Sequence, residues 1–267
     1  MAAVTAAHRP DLLEQAREEL GFDPFERIAD GTHCAQPALY CASLAHYKQA
    51  GSPAGEMIAG HSLGELAALV AGDALDADEG LRLAVIRGRL MEDAAALSPG
   101  GMLAALGGEE ESVRALAAEF GLTVANDNAP GQVVLSGPSD SLTEARKQLR
   151  ADGVKAIRLP VAGAFHSSLM AGASEKFRLA LDEVEFRQPS LPVFSSTGAA
   201  PFEDPRTRLA AALTEPVVWQ DTLKRMYADG ARIFLETGPG DVLTGLVRRT
   251  LDDVEVRSLA EPETVNA

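Results

Sequence analysis

The sequence of 267 residues predicts an α/β protein, with a mainly parallel sheet and an inserted ferredoxin-like subdomain. Segments with helical spacing alternate with short apolar runs, which is typical of α/β folds. Residues 101–161 have the predicted order strand, helix, strand, strand, helix, strand, which is ferredoxin-like. We therefore expect residues 1–100 and 162–267 to form a large subdomain and residues 101–161 a small one.

The first hundred residues contain one short apolar strand among several helices. The strand is "EMIAG", and the helical segments are "PDLLEQAREEL", "QPALYCASLAHYKQAG", "LGELAALVAG" and a segment from about Asp76 to Leu97. Pro37 suits a first helical position, and Pro99-Gly100-Gly101 suits a helix end. These elements flank the sequence Gly60-His61-Ser62-Leu63-Gly64.

The helix ending near Leu97 has an arginine on its apolar face. Residues at helical spacing define that face: Leu83, Ile86, Leu90 and Ala94. Arg87 falls on the same face, whereas Arg82 and Arg89 lie together elsewhere and can be solvated. A charge on an apolar face needs a partner or a water-lined cleft, so Arg87 is a candidate functional residue.

The remaining elements follow in regular order. The small subdomain comprises "GMLAALGG", "EESVRALAAEFG", two strands in "LTVANDNAPGQVVLSG", "SLTEARKQLRADG" and "VKAIRLPV". After His166 come the helix "SLMAGASEKFRLALDEV", the strand "LPVFSST", the helix "WQDTLKRMYADG", the strand "ARIFLETG" and the helix "DVLTGLVRRTL". We expect the tail after Ser258 to be frayed.

Composition and charge exclude several classes of function. The net charge of -15 argues against nucleic acid and anionic membranes as partners. No apolar run approaches the ~20 residues of a membrane span, and the start shows no signal peptide. Cys34 and Cys41 are interpreted as a buried apolar pair rather than a disulfide or metal site. We expect a cytoplasmic protein.

Ser62 is the candidate nucleophile. In Gly-x-Ser-x-Gly, a sharp turn between strand and helix exposes the serine oxygen, and the N–H of Leu63 can face an oxyanion. The alternative is a simple turn with a capping serine. His166 is the preferred base because it lies at a strand-to-helix junction, where catalytic groups collect. The side chain of His61 should diverge from its neighbour Ser62.

The chain resembles the malonyl-CoA:acyl carrier protein transacylases of fatty acid synthesis and the related acyltransferase domains of polyketide synthases. The resemblance covers about Met1 to Leu251. It rests on "GHSLGELAAL", Arg87 in "VIRGRLM", "ANDNAPGQVVLSG", "GAFHSSLM", "EPVVW" and "LETGPGDVLTGL". It implies a parallel-sheet core similar to that of the α/β-hydrolases, although about a hundred residues follow His166, which is unusual for those enzymes.

The resemblance also implies a mechanism. Ser62 attacks the malonyl-CoA thioester while His166 takes its proton, and the phosphopantetheine thiol of acyl carrier protein then accepts the malonyl group. A backbone carbonyl orients the histidine in this family, and alignment on "EPVVW" puts Ala212 at that position. The protein itself needs no cofactor and no metal, since the partner carries the phosphopantetheine.

Several substrate contacts follow from the same resemblance. The guanidinium of Arg87 grips the malonyl carboxylate, and Phe165 fills the space that a methyl branch would need. Asn126 and Asn128 line the cleft or, equally, only form a turn. Gln36 matches a family glutamine near the site. Gly238-Pro-Gly resembles a phosphate loop, although a turn before the last helix is the simpler interpretation.

The chain departs from the family pattern at its start. The family begins with a strand ending in Gly-Gln-Gly-Ser-Gln, whose glutamine supplies a second oxyanion donor, and then a Gly-Met pair. Here Met1 stands where that pair would be. The expectation is that Met1 is an internal methionine and that the protein starts upstream.

Three alternatives remain open: an acyltransferase of a polyketide or other malonate-using pathway, a serine thioesterase or esterase, and an inactive truncated member. We expect a monomer. Acyl carrier protein is acidic, so docking requires a local basic patch. The candidates are Lys147, Arg150, Lys155, Arg158, Arg248 and Arg249, for which ordinary surface charge is an equally good explanation.

Overall fold

The computed structural model describes residues 1–161 and 163–260. The helices are α1 (Ala2–His8), α2 (Pro10–Leu20), α3 (Thr32–Gln49), α4 (Gly64–Ala71), α5 (Ala77–Leu97), α6 (Glu110–Glu119), α7 (Ser139–Ala151), α8 (Ala171–Asp182), α9 (Pro205–Ala211), α10 (Trp219–Ala228) and α11 (Val242–Thr250). Short 3₁₀ turns span Ile28–Asp30 and Ser168–Met170.

The strands are β1 (Ile58–Ala59), β2 (Gly100–Leu106), β3 (Thr123–Ala129), β4 (Gln132–Pro138), β5 (Lys155–Arg158), β6 (Val193–Ser195), β7 (Ala200–Pro201), β8 (Val217–Val218), β9 (Ile233–Glu236) and β10 (Glu255–Ser258). Alternation of these strands with helices confirms the predicted α/β class.

The parallel core consists of two short sheets rather than one. In the first sheet β6 pairs parallel with β1 and antiparallel with β7, and in the second β9 pairs parallel with β10. A cavity of about 900 Å³ lies between β1 and β9 and is lined by residues of both strands. The parallel strands thus form two sheets that both line this cavity, rather than the mainly parallel sheet that the sequence predicts.

A five-stranded sheet has the order β5-β2-β4-β3-β8. Its first four strands, with α6 and α7, follow the ferredoxin-like order predicted for residues 101–161. The hairpin of β3 and β4 turns at Pro130-Gly131, because Ala129 pairs with Gln132. The fifth strand, β8, comes from the later part of the chain and pairs parallel with β3. The boundaries of the two subdomains stay a prediction.

Two structural details differ from the sequence-based expectation. Helix α3 begins at Thr32, so Pro37 lies inside the helix rather than at its first position. Proline there costs one hydrogen bond, which the packing of a largely buried helix outweighs. The short strands β7, β8 and β10 were not predicted, because two to four residues carry too little periodicity, and the seven-residue helices α1 and α9 were not predicted either.

The large apolar core lies among α3, α4, α5 and α8, with Tyr40, Leu66 and Phe177 among its fully buried side chains. A second core fills the space between the five-stranded sheet and its helices α6 and α7. None of the described helices is both long and apolar enough to cross a membrane. The elbow around Ser62 lies at the junction of β1 and α4, at the margin of the large core.

Candidate active site

Ser62 sits on a tight turn between β1 and α4. Its φ angle is 51°, the left-handed region that a non-glycine residue adopts only when its surroundings enforce it. Gly60 is required here, because an added Cβ would lie 2.0 Å from the carbonyl oxygen of Gly64. Gly64 itself has open space around its missing Cβ, so only one of the two glycines serves the crowded turn.

The structure brings His166 to Ser62 across 104 residues of sequence. The Nε2 atom of His166 lies 2.8 Å from the Ser62 Oγ. On the far side of the ring, Nδ1 lies 2.8 Å from the carbonyl oxygen of Ala212 and 3.2 Å from that of Glu215. Carbonyls accept hydrogen bonds only, so Nδ1 carries the proton and Nε2 presents its lone pair to the serine.

His166 is neutral in this environment. Burial lowers the pKa of its imidazole to about 3, and the nearby charge of Arg87 acts in the same direction. The carbonyls of Ala212 and Glu215 favour the protonated ring only partly. An unprotonated imidazole is the form that accepts a proton from a serine, so the ring is in the protonation state that a general base requires.

Arg87 is buried beside the serine, with only 5% of its surface exposed. One terminal nitrogen donates to Gln36 Oε1 at 2.6 Å and the other donates to Ser62 Oγ at 3.1 Å. Burial lowers the pKa of its guanidinium to about 10, so it stays charged at neutral pH. By contrast, Arg82 pairs with Glu79, and Arg89 is exposed.

We use the term Ser62 cluster for Gln36, Ser62, Arg87 and His166, which these hydrogen bonds connect. The amide nitrogen of Gln36 donates in turn to the Thr32 hydroxyl at 2.8 Å, so the side chain is held on both ends. The cluster therefore places one nucleophile, one base and one fixed cation at a single point.

The two asparagines differ in their contacts. The Oδ1 atom of Asn128 lies 2.8 Å from Nε2 of His61, and the His61 ring packs edge-on against Trp219. Asn126 lies on the same strand, buried opposite Val217 of β8, and makes no hydrogen bond to the Ser62 cluster. Asn128 therefore holds His61 beside the elbow, and His61 does not contact the Ser62 hydroxyl.

Leu63 and Phe165 adjoin the two reacting residues. Leu63 is the residue before α4, and among the described residues none accepts a hydrogen bond from its N–H, which leaves it available to an oxyanion. Phe165 is partly buried and packs against both the large core and a cluster on the five-stranded sheet. An added Cβ at Gly163 would lie 2.3 Å from the Phe165 ring.

Two residues at the elbow were not predicted from the sequence. The backbone N–H of Ser62 donates to the Ser196 hydroxyl at 3.2 Å, and Ser196 in turn donates to Glu65. Glu65 is 1% exposed, and burial raises the pKa of its carboxyl to about 7. A carboxylate in the otherwise apolar helix "GELAALVA" is the one sequence signal that could have identified it.

A Cys-His-Glu arrangement outside the Ser62 cluster joins Cys34 and His33 of α3 to Glu92 of α5. The Sγ atom of Cys34 is 3.1 Å from His33 Nε2, and His33 Nδ1 is 2.5 Å from Glu92. The Cys34 side chain is fully buried, and burial raises the pKa of its thiol. A buried, protonated thiol is not a nucleophile. Cys34 and Cys41 are both free and buried, as the sequence predicted.

The Gly238-Pro239-Gly240 segment is the turn between β9 and α11. Both carboxylate oxygens of Glu236 accept hydrogen bonds from the first turn of that helix, at the N–H groups of Leu243 and Thr244. Because a carboxylate already occupies the helix start, a phosphate would have to displace it. Among the described residues, no group of three or more His, Cys, Asp or Glu side chains could hold a metal ion.

Comparison with known proteins gives consistent matches. Residues 11–264 match the family model described as acyl transferase domain. The chain is 34% identical to the malonyl CoA-acyl carrier protein transacylase of Escherichia coli, over 100% of this chain and 93% of that protein. It is 37% identical to the polyketide biosynthesis protein ThaF of Burkholderia thailandensis, over 94% of this chain but only 23% of that protein.

Solved structures match as well. The crystal structure of the malonyl-CoA:acyl carrier protein transacylase from Xanthomonas oryzae superposes with a TM-score of 0.89 and 32% identity. The superposition covers 96% of this chain and 88% of that chain. The likeness therefore extends over both the parallel core and the five-stranded sheet.

Proposed function

Since the chain belongs to the acyl transferase domain family, we propose that it transfers the malonyl group from malonyl-CoA to the phosphopantetheine thiol of acyl carrier protein. The curated relative in Escherichia coli carries that activity in its name. The observation that carries the proposal most directly is the Ser62 cluster. It combines a serine paired with a neutral histidine and a buried arginine whose charge fits a substrate carboxylate.

In the first half-reaction Ser62 becomes acylated. Its oxygen forms a bond to the thioester carbonyl carbon of malonyl-CoA while its proton passes to Nε2 of His166. The negative charge that develops on the carbonyl oxygen faces the N–H of Leu63. The bond from carbon to sulfur then breaks, and the CoA thiolate takes the proton from His166. The product is a malonyl ester of Ser62.

The second half-reaction uses the same groups in reverse order. The thiol of the carrier protein gives its proton to His166 and attacks the ester carbonyl carbon. The bond to the Ser62 oxygen breaks, and that oxygen recovers the proton. The proposed cycle uses no cofactor bound to this chain. Throughout it, the carbonyls of Ala212 and Glu215 fix the tautomer of His166 and stabilise its positive charge.

Arg87 accounts for the acyl group. In the structure its donors face Gln36 and Ser62, and a malonyl carboxylate would accept the same donors with a full negative charge. An acetyl group would leave the buried cation without a counter-charge. A general esterase has no use for a buried cation at this point, so the arginine favours malonyl transfer over the esterase alternative.

The carrier protein requires a docking surface, and the predicted basic residues offer candidates. Lys147 and Arg150 are exposed on α7, and Arg248 and Arg249 are exposed on α11. Some of this charge is already used, because Lys147 pairs with Glu144. The docking surface stays a prediction, as do the monomeric state and the cytoplasmic location.

The decisive experiment follows the label on the protein. Purified protein is incubated with isotopically labelled malonyl-CoA, and the covalent adduct is located by intact mass and peptide mapping. We expect a malonyl adduct on Ser62 that transfers to added carrier protein. Ser62→Ala should carry no label. An unlabelled wild-type protein, or equal label on the variant, would exclude the mechanism.

A second candidate is the same acyl transfer within polyketide synthesis. The 37% identity to ThaF over 94% of this chain favours it. Both candidates share the chemistry at Ser62 and differ only in the carrier protein. Transfer rates measured with carrier proteins of the two pathways would separate them, because the native carrier should be acylated faster at low concentration.

A further inference from the structure

The backbone of the nucleophile is held by a hydrogen-bond chain that the reaction scheme does not use. The N–H of Ser62 donates to Ser196 Oγ at 3.2 Å. The Ser196 hydroxyl donates to Glu65 Oε1 at 3.1 Å, and the Ser196 backbone N–H donates to the same oxygen at 2.7 Å. The neighbouring Ser195 hydroxyl donates to that oxygen at 3.0 Å.

The direction of these hydrogen bonds is fixed by chemistry. The Ser196 backbone N–H donates to Oε1 of Glu65, so this oxygen is an acceptor, and the one proton of the Ser196 hydroxyl points at it. The lone pairs of that hydroxyl are then left to accept from Ser62. The carboxylate thus decides which way Ser196 faces, and Ser196 gives the Ser62 N–H its partner in a turn with a left-handed φ of 51°.

Burying the Glu65 carboxylate has a free-energy cost that a functional role would explain. Glu65 is 1% exposed and Ser196 is fully buried. A buried carboxylate needs several hydrogen bonds to offset its lost hydration. A leucine would fill the same place in the apolar helix α4 at no such cost. All three donors bind the same oxygen of Glu65, Oε1, and one of them is the Ser196 hydroxyl that also accepts from the Ser62 N–H.

We propose that Glu65 is a positioning residue, which acts through Ser196 to hold the Ser62 backbone so that the Ser62 hydroxyl stays aligned with His166. This inference rests on the proposed function, because it assigns the alignment to the acylation of Ser62. Glu65 contacts neither reacting atom, and its contribution is geometric.

The test measures the acylation rate of each protein by rapid quench, per labelled active site. Ser196→Ala and Glu65→Leu should each lower that rate about tenfold, the effect of one lost hydrogen bond of about 1.4 kcal/mol. The KM for malonyl-CoA should stay unchanged, since Arg87 and Gln36 keep their contacts. Glu65→Gln should restore most of the rate, because its amide oxygen still accepts from Ser196.

The double variant Glu65→Leu/Ser196→Ala distinguishes positioning from independent effects. Two residues that act in one chain should together cost no more than either alone. Ser136→Ala is the matched control, because Ser136 is fully buried on β4 and its hydroxyl bonds to none of the described residues. This control should keep both its acylation rate and its thermal midpoint.

Two outcomes would overturn the inference. One is wild-type acylation per labelled site in Ser196→Ala and Glu65→Leu, with only the thermal midpoint lowered, which would mean a purely structural contact. The other is additive losses in the double variant. Absence of any adduct on the wild-type protein would instead refute the proposed function, so the two failures are distinguishable.

Discussion

The Nδ1 atom of His166 lies 2.8 Å from the carbonyl oxygen of Ala212, so a backbone group orients this histidine where many serine enzymes use a carboxylate. A carbonyl has no net charge and stabilises an imidazolium less than an aspartate does. Burial and Arg87 accordingly hold the pKa of the His166 ring at about 3. The ring therefore does not titrate in the range where the protein is expected to work.

Acylation should respond to pH through Glu65 rather than through His166. As pH rises through about 7, Glu65 ionises and becomes a stronger acceptor for Ser196. We expect the acylation rate of the wild type to rise about threefold between about pH 5.5 and about pH 8.5, a range that spans the pKa of Glu65. Glu65→Gln should show a flat profile in a rapid-quench series over that range.

Among the described residues, Arg87 is the charged side chain whose electrostatic influence reaches Glu65, and it keeps its charge in this range. On the adjoining elements, Arg87 has a pKa of about 10 and Cys41 of about 12, and burial raises the pKa of Tyr40. Burial lowers the pKa of His61. A rate change that persists in Glu65→Gln would contradict the assignment.

The ionisation of Glu65 should lower the stability of the fold as pH rises, whereas it should raise the acylation rate. The pKa of Glu65 is about 7 in the folded protein against 4.5 for the free side chain, so the folded state binds its proton more tightly. This contribution to stability is fully present below pH 4.5 and is lost as pH rises through 7, by up to about 3 kcal/mol.

Glu65→Gln lacks this ionisation. Its thermal midpoint relative to wild type should therefore be higher at pH 8.5 than at pH 5, as differential scanning calorimetry at both values would measure. A difference in midpoint that is the same at both pH values would show that Glu65 does not titrate between them.

Arg87 should decide between malonyl and acetyl groups. We expect Arg87→Ala to lower kcat/KM for malonyl-CoA by about a hundredfold or more, because a charge-assisted hydrogen-bonded pair is lost. Hydrolysis or transfer of acetyl groups should change little. Arg89→Ala is the matched control on the same helix, since Arg89 is exposed and, within the part of the chain that the structure describes, donates only to the Glu19 carbonyl. Unchanged selectivity in Arg87→Ala would refute the assignment.

Gln36 should tune the same site. Its Oε1 accepts from Arg87 at 2.6 Å and so helps to orient the guanidinium, and Gln36→Ala should therefore leave the arginine less well positioned and raise the KM for malonyl-CoA about tenfold. Gln36→Glu places a competing carboxylate on the arginine and should raise the KM further than Gln36→Ala. Steady-state kinetics of the two variants give the comparison, and the reverse order would contradict the competition.

The sequence allowed prediction of residues whose local pattern is strong. The elbow identifies Ser62, the helical periodicity places Arg87 on an apolar face, and the junction of strand and helix selects His166. Alignment on "EPVVW" indicated Ala212, whose carbonyl the structure places against His166.

Other contacts could not be predicted because they depend on distant segments. Glu65 and Ser196 are 131 residues apart, and the local sequence around either residue does not indicate contact with the other. Asn126 and Asn128 have equivalent sequence patterns, yet of the two Asn128 contacts the elbow and Asn126 does not, and the pairing of β3 with β4 shifts register between Asp127 and Ala129, where Asn128 lies. Strand β8 has two residues and is defined only by its partner β3.

Strand β8 also connects the five-stranded sheet to the two residues that exchange the proton, Ser62 and His166. The carbonyls of Ala212 and Glu215 that orient His166 lie directly before it in the chain. Its Val218 N–H donates to the Ser196 carbonyl at 2.8 Å, on the nucleophile's side. The five-stranded sheet is thus connected, through β8, both to the segment that orients His166 and to Ser196, which contacts Ser62. A tilt of that sheet would change the distance between the Ser62 hydroxyl and His166. Mutations on the sheet, even distant from the active site, would therefore slow proton transfer rather than weaken substrate binding.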